Sequence, residues 1–195
     1  MNEHNIRQRE VMDAEILALW PDLPMIHRFL LATGQDLKEI VQMDWTHLDP
    51  QTRVWNQPKN SADVSHNITI PKWVMGWLPE QTDSPAVFTG DDGARFSLAS
   101  ASNMLLTHVS AVGIEDVTAH DLRAYALKQL VELGSPGSAE KIAGYIISQG
   151  KQSGSGSDDQ ACEKAELLEK WSQRLQEVVL EGGSTIGDTP LSNSH

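Results

Sequence analysis

Between Arg53 and Ile70 the apolar residues change their spacing, and this change limits the chain to few architectures. Over most of the first 150 residues they recur three and four apart, the mark of helices with one buried face. In this interval they alternate instead. Val54-Trp55 and Ile68-Ile70 flank a polar turn around Pro58-Lys59-Asn60, which predicts a β-hairpin. The expected fold is therefore mainly α with a small β-hairpin or sheet, an α+β class.

Helix signals surround the hairpin. Asp13 suits the cap of a helix through Ile16, Leu17 and Trp20, which Pro21 should stop. A second helix begins near Pro24, carries Met25, Ile26, Phe29 and Leu30, and ends at Gly34, a natural left-handed cap. A short third runs from Asp36 to about Gln42. After the hairpin, Pro71 opens a helix with Trp73, Val74, Trp77 and Leu78. Ser97 and Thr118 cap two long helices, 97–112 and 118–133, the second ended by Gly134. Ser135-Pro136 starts a last core helix that includes Ile142, Ile146 and Ile147. The six tryptophans fall mainly on apolar faces and read as core.

The run GKQSGSGSDD then breaks the composition, and residues 150–157 read as a Gly/Ser linker. Beyond it Ala161, Ala165, Leu168, Trp171, Leu175 and Val178 repeat at three- and four-residue steps, predicting an amphipathic helix over 158–181. Residues 1–11 and 182–195 are polar and expected to be disordered, leaving 12–149 as the main domain. The linker lets helix 158–181 dock on its own domain or on a second copy, a route to a homo-oligomer.

Composition narrows the function. The single cysteine, Cys162, can form neither an internal disulfide nor a zinc cluster, and a cytoplasmic location is the default. No apolar run reaches the roughly 20 residues of a membrane span, and the histidines show no metal-ligand spacing, so neither metal nor cofactor is expected. The formal charge is -12. Residues 1–150 hold 11 Lys and Arg against 19 Asp and Glu, net -8, so any anion-binding patch must be built from few cations.

In order, two helices, TGQDLKEI, a hairpin with a turn lysine, TAHDLRAYALKQL and KIAGYI resemble the catalytic domain of the tyrosine recombinases, or phage integrases. The resemblance covers about 135 residues, from about Met12 to about Ile147, and TAHDLR is its most specific piece. It implies the DNA breaking-rejoining fold and a site that cuts and rejoins DNA. In that family T-G-x-R-x-x-E-[IL] supplies a first Arg, a hairpin supplies Lys, and H-x-L-R supplies His and a second Arg. A later G-H dipeptide supplies another His or Trp, and a Tyr about ten residues on attacks the phosphate. The cations meet the extra negative charge of a pentacoordinate phosphate, and Lys or His protonates the leaving oxygen.

By this resemblance His120 and Arg123 keep the H-x-L-R pair, Lys59 the hairpin lysine and Glu39 the acidic residue. Asp36 stands where the first Arg is expected, and Tyr145 where the G-H dipeptide has His. The nucleophile position falls in the linker, and neither tyrosine of the chain, Tyr125 or Tyr145, lies downstream. Asp36 suits a helix N-cap, and it can also pair with Arg123, whereupon the two neutralise each other. Tyr145 reads as an aromatic filling the space of the lost His, or as a displaced nucleophile. Eleven residues before the first helix leave no room for the helical DNA-clamping domain the family places there. The resemblance thus implies a protein of DNA integration and recombination, of the kind mobile elements carry, with double-stranded DNA as partner and cleavage impaired. The alternative is an interaction module on the same fold that no longer binds DNA.

Overall fold

The computed structural model describes residues 10–57, 66–134 and 158–181. Helix α1, Asp13–Leu19, turns Ile16 and Leu19 into the core. Its cap is not Asp13 as the sequence suggested. Met12 occupies that position, and its N–H donates to the Glu15 carboxylate at 3.0 Å. Asp13 lies inside the first turn and accepts the Tyr125 hydroxyl at 2.6 Å. The α-helix does end just ahead of Pro21, as expected, and Trp20–Asp22 follows as a 3-10 turn whose early position has no use for a proline N–H. Helix α2, Met25–Thr33, ends where expected, on Gly34 at φ 66. Helix α3 is a single turn, Leu37–Ile40, with Asp36 as its N-cap.

The hairpin is present. Strands β2, Val54–Gln57, and β3, His66–Thr69, pair antiparallel with Trp55 opposite Ile68 and Gln57 opposite His66. A further strand, β1, Leu48–Asp49, pairs with β2, and two residues are too few to show an alternation in sequence. The sheet order is β1-β2-β3. Trp55 and Ile68 face inward, and Trp55 meets Phe29 edge to face at 5.9 Å. Helix α4 is Lys72–Met75, shorter than expected, since Trp77 and Leu78 lie past Gly76. Trp77 and Trp73 instead pack together with centroids 4.4 Å apart, and Trp73 stacks on Trp20 at 5.8 Å.

Ser97 caps α5, Leu98–Ala111, by accepting the Ser100 N–H at 3.0 Å. Thr118 caps α6, Ala119–Leu133. The chain leaves α6 through Gly134 in an extended conformation, at φ -79, not a left-handed one. The expected helix from Ser135, the turn carrying Lys59, Tyr145 and nearly all of the Gly/Ser run lie outside the described residues.

Helix α7, Asp158–Glu181, packs on α1, α2, α4, α6 and β3 of its own domain. Leu167, Leu168, Trp171, Leu175 and Val179 are buried. The indole N–H of Trp171 donates to the Leu31 carbonyl at 2.9 Å, and its ring meets Tyr125 edge to face at 5.9 Å. Glu169 completes the seating. One of its oxygens lies 3.3 Å from the Arg53 guanidinium and 3.3 Å from the Lys72 backbone N–H, at the start of α4. Of the two docking modes open to this helix from sequence, the structure has the one in cis. Among the described residues no helix is long and apolar enough to cross a membrane.

Candidate functional site

The first turn of α6 is built around Asp121. This buried carboxylate accepts the Thr118 N–H at 2.9 Å, while the Thr118 hydroxyl receives the Asp121 N–H, a reciprocal cap that fixes where the helix starts. His120 and Arg123, three apart, project from neighbouring positions of that turn. His120 is exposed.

Arg123 reaches back to the end of α2. Its Nε donates to the Gly34 carbonyl at 3.0 Å, and a terminal nitrogen lies 3.4 Å from the Asp36 carboxylate. The Arg123 side chain is 14% exposed and that of Asp36 39%. Asp36 uses its other oxygen to accept the Lys38 N–H at 2.9 Å. Both readings of Asp36 therefore hold at once, because capping occupies one oxygen and leaves the second for the arginine. At this distance and exposure the pair contributes no more than about 1 kcal/mol to stability, yet it places a full negative charge where an anionic ligand of Arg123 would sit.

Beneath the pair lies a polar layer that the sequence did not reveal. Gln35 is fully buried, donates to the Thr33 carbonyl at 3.1 Å and accepts from Gln57 at 3.4 Å. Burial and the neighbouring Asp36 charge push the Glu39 carboxyl above its ordinary range, against the opposing pull of Arg123 and of hydrogen bonds from Asp36 and Gln57. Gln57 did carry a signal. It shares the inward register of Trp55 on β2, an odd place for an amide. Gln35 carried none, since its partner is 22 residues away.

The structure thus brings Arg123, Asp36 and Glu39 into one cluster, with His120 on the same turn. Lys59 and Tyr145 lie outside the described residues, and among those residues no His, Cys, Asp and Glu group could hold a metal ion.

The sequence matches the phage integrase family over residues 14–145. This chain belongs to the phage integrase family. Solved integrases share its fold. The integrase from mycobacterium phage Brujita superposes with a TM-score of 0.61 at 20% identity, over 88% of this chain and 63% of that one. A lambda integrase(75-356) dimer bound to a COC' core site gives 0.62 at 14% identity, over 78% and 60%. The lambda integrase catalytic core gives 0.60 at 14% identity, over 72% of this chain and 95% of that one. The chain therefore spans less than two thirds of the Brujita and longer lambda chains, and corresponds in fold to a tyrosine-recombinase catalytic domain. The curated proteins contain no match to it.

Within the phage integrase family frame, the segment that ends α2 and begins α3 is TGQDLKEI, and the first turn of α6 is TAHDLR. The fold brings these two motifs into contact through Arg123, Gly34 and Asp36, although 87 residues separate the ion pair.

Proposed function

We propose that this integrase-family chain binds double-stranded DNA in integration or recombination, in the cytoplasm and on behalf of a mobile element, without efficient strand cleavage. The observation that carries the reading is the placement of Asp36 against Arg123. Phosphoryl transfer needs fixed cations on the non-bridging oxygens as charge builds. Here the arginine is already turned to a carboxylate and a carbonyl, and Glu39 adds a second carboxyl nearby. Reduced cleavage follows from the Coulomb term alone, since each added negative charge near a reacting phosphate raises the barrier. Residual duplex affinity would rest on Arg123, His120 and Lys59. The DNA assignment itself draws on the family and on the lambda neighbour, which is described as bound to a core site.

The test combines two measurements on the full chain. Duplex binding should weaken steeply with salt, and Arg123→Ala should weaken it further. Covalent trapping on a nicked duplex should give no adduct, with Tyr145→Phe indistinguishable from the parent. Binding that is flat in salt would sink the DNA part. A Tyr145-dependent adduct would sink the impairment.

The second reading is an interaction module that has abandoned nucleic acid. It is favoured by the same arginine being satisfied from within, together with the net -8 of residues 1–150. A duplex that fails to bind at low salt selects it. Under either reading, an oligomer through residues 158–181 forms either by exchange of α7 between copies or through the face that α7 leaves exposed while seated on its own domain.

A further inference from the structure

The seam between α2 and α5 contains a feature the proposed function does not use. His27 of α2 is fully buried, and neither ring nitrogen has a hydrogen-bond partner among the described residues. Buried polar groups are nearly always paired, so an orphan imidazole is unusual. Two groups of α5 face it. The Ala101 carbonyl lies near enough to favour a protonated ring without meeting hydrogen-bond geometry, and the His108 imidazole opposes a second positive charge. Helices α3, α6 and α7 also pack on α2, and among the described residues none of their titratable groups shifts the ring. Arg28, its neighbour on α2, turns away to the Trp20 and Pro21 carbonyls at 2.9 and 2.8 Å.

Helix α5 is held lightly. It buries a single stripe, Ala101, Leu105 and Val109, and leaves Leu98 and Leu106 each 46% exposed. His108 ties it to the end of α1 through a ring nitrogen 2.8 Å from the Leu19 carbonyl. The Ala101 carbonyl is also the helical acceptor of the Leu105 N–H.

We propose that α5 is an acid-released helix, with His27 as the sensor. A proton on His27 is drawn to the Ala101 carbonyl, and taking it competes with the Leu105 bond inside α5. The same charge repels His108 when that ring is protonated. Both effects act on α5, which has little buried surface to resist them. Helix α5 also packs on α3, whose cap is Asp36, so its release withdraws support from the Asp36–Arg123 pair.

Burial pushes the His27 imidazole down to about 4. In the open form it recovers its ordinary affinity, near 6.5, so acid favours opening over the interval between these values. A lowered base binds fewer protons closed than open, so the closed state is fully stable above that interval, weakens as pH falls through it, and loses nothing more below it.

The experiment is hydrogen exchange of α5 and α6 amides at pH 7.5 and 5.5, corrected for intrinsic exchange, on the full chain. The lower pH stays above the isoelectric point of about 4.9 and above ordinary carboxylate titration. Expected is a loss of protection in α5, Leu105 included, of about tenfold relative to α6, abolished in His27→Leu. Loss in step with α6, or loss that persists in His27→Leu, overturns the proposal. Should His27→Leu fail to fold, His108→Gln supplies the second arm. It is expected to move release to lower pH, and an unchanged profile overturns the proposal equally.

Discussion

Asp36 performs two tasks with one carboxylate, capping α3 and facing Arg123, and the tasks respond differently to mutation. In Asp36→Ala the lost cap is expected to cost about 1 kcal/mol of stability. Arg123, relieved of that carboxylate, should meanwhile bind phosphate-bearing ligands more tightly. A lower melting temperature together with a tighter duplex Kd would show both, and a loss of both would show that Asp36 helps hold the ligand. Glu39 responds in the opposite sense to a carboxylate whose proton affinity folding lowers. Its affinity for a proton is higher folded than unfolded, so its cost to the fold is complete at neutral pH and fades as pH falls through the carboxylate range. Glu39→Gln is expected to raise the melting temperature at pH 7, with the gain shrinking in acid, as thermal denaturation across pH can read. Both residues are legible in TGQDLKEI. The roles of Gln35 and His27 are not, for an amide in the turn between α2 and α3, or an imidazole on the apolar face of α2, looks the same in sequence whether its partner is present or missing.

At the level of elements, long periodic stretches announced themselves and short ones did not. Helices α5 and α6 start after Ser97 and Thr118, because a side-chain oxygen capping a helix end is a local signal needing no tertiary information. Strand β1 and the end of α4 depend on neighbours: β1 exists by pairing with β2, and α4 gives way where the Trp73 and Trp77 rings pack. The stripe of α7 was legible in outline. Its Trp171 and Leu175 are buried, but the buried set also takes in Leu167 and Val179, since a broad groove needs a wider face than a single row. Trp171→Ala should cost roughly 3–5 kcal/mol, more than a surface helix would lose, and urea denaturation measures it. A cost under about 1 kcal/mol would mean that α7 is not part of the cooperative unit.

For the molecule as a whole, the excess of acid over base sets its response to salt. With a formal charge of -12, compact folding brings like charges together, so added salt is expected to raise the melting temperature until screening is complete. The same salt should weaken any duplex complex, and the two trends measured on one preparation separate fold from binding. The overall architecture was legible because one hairpin among helices leaves few arrangements and because TGQDLKEI and TAHDLR recur in a known order. The way those motifs close on each other was not, since it depends on where an arginine side chain ends, 87 residues from its acid.

Helix α7 lies last among the described elements and fills a groove formed by the first two helices and α6. The ribosome therefore delivers the closing piece after the rest. Until it arrives, the Leu31 carbonyl lacks its indole donor, the Tyr125 ring is uncovered, and the apolar groove stays open to chaperones or to another unfinished chain.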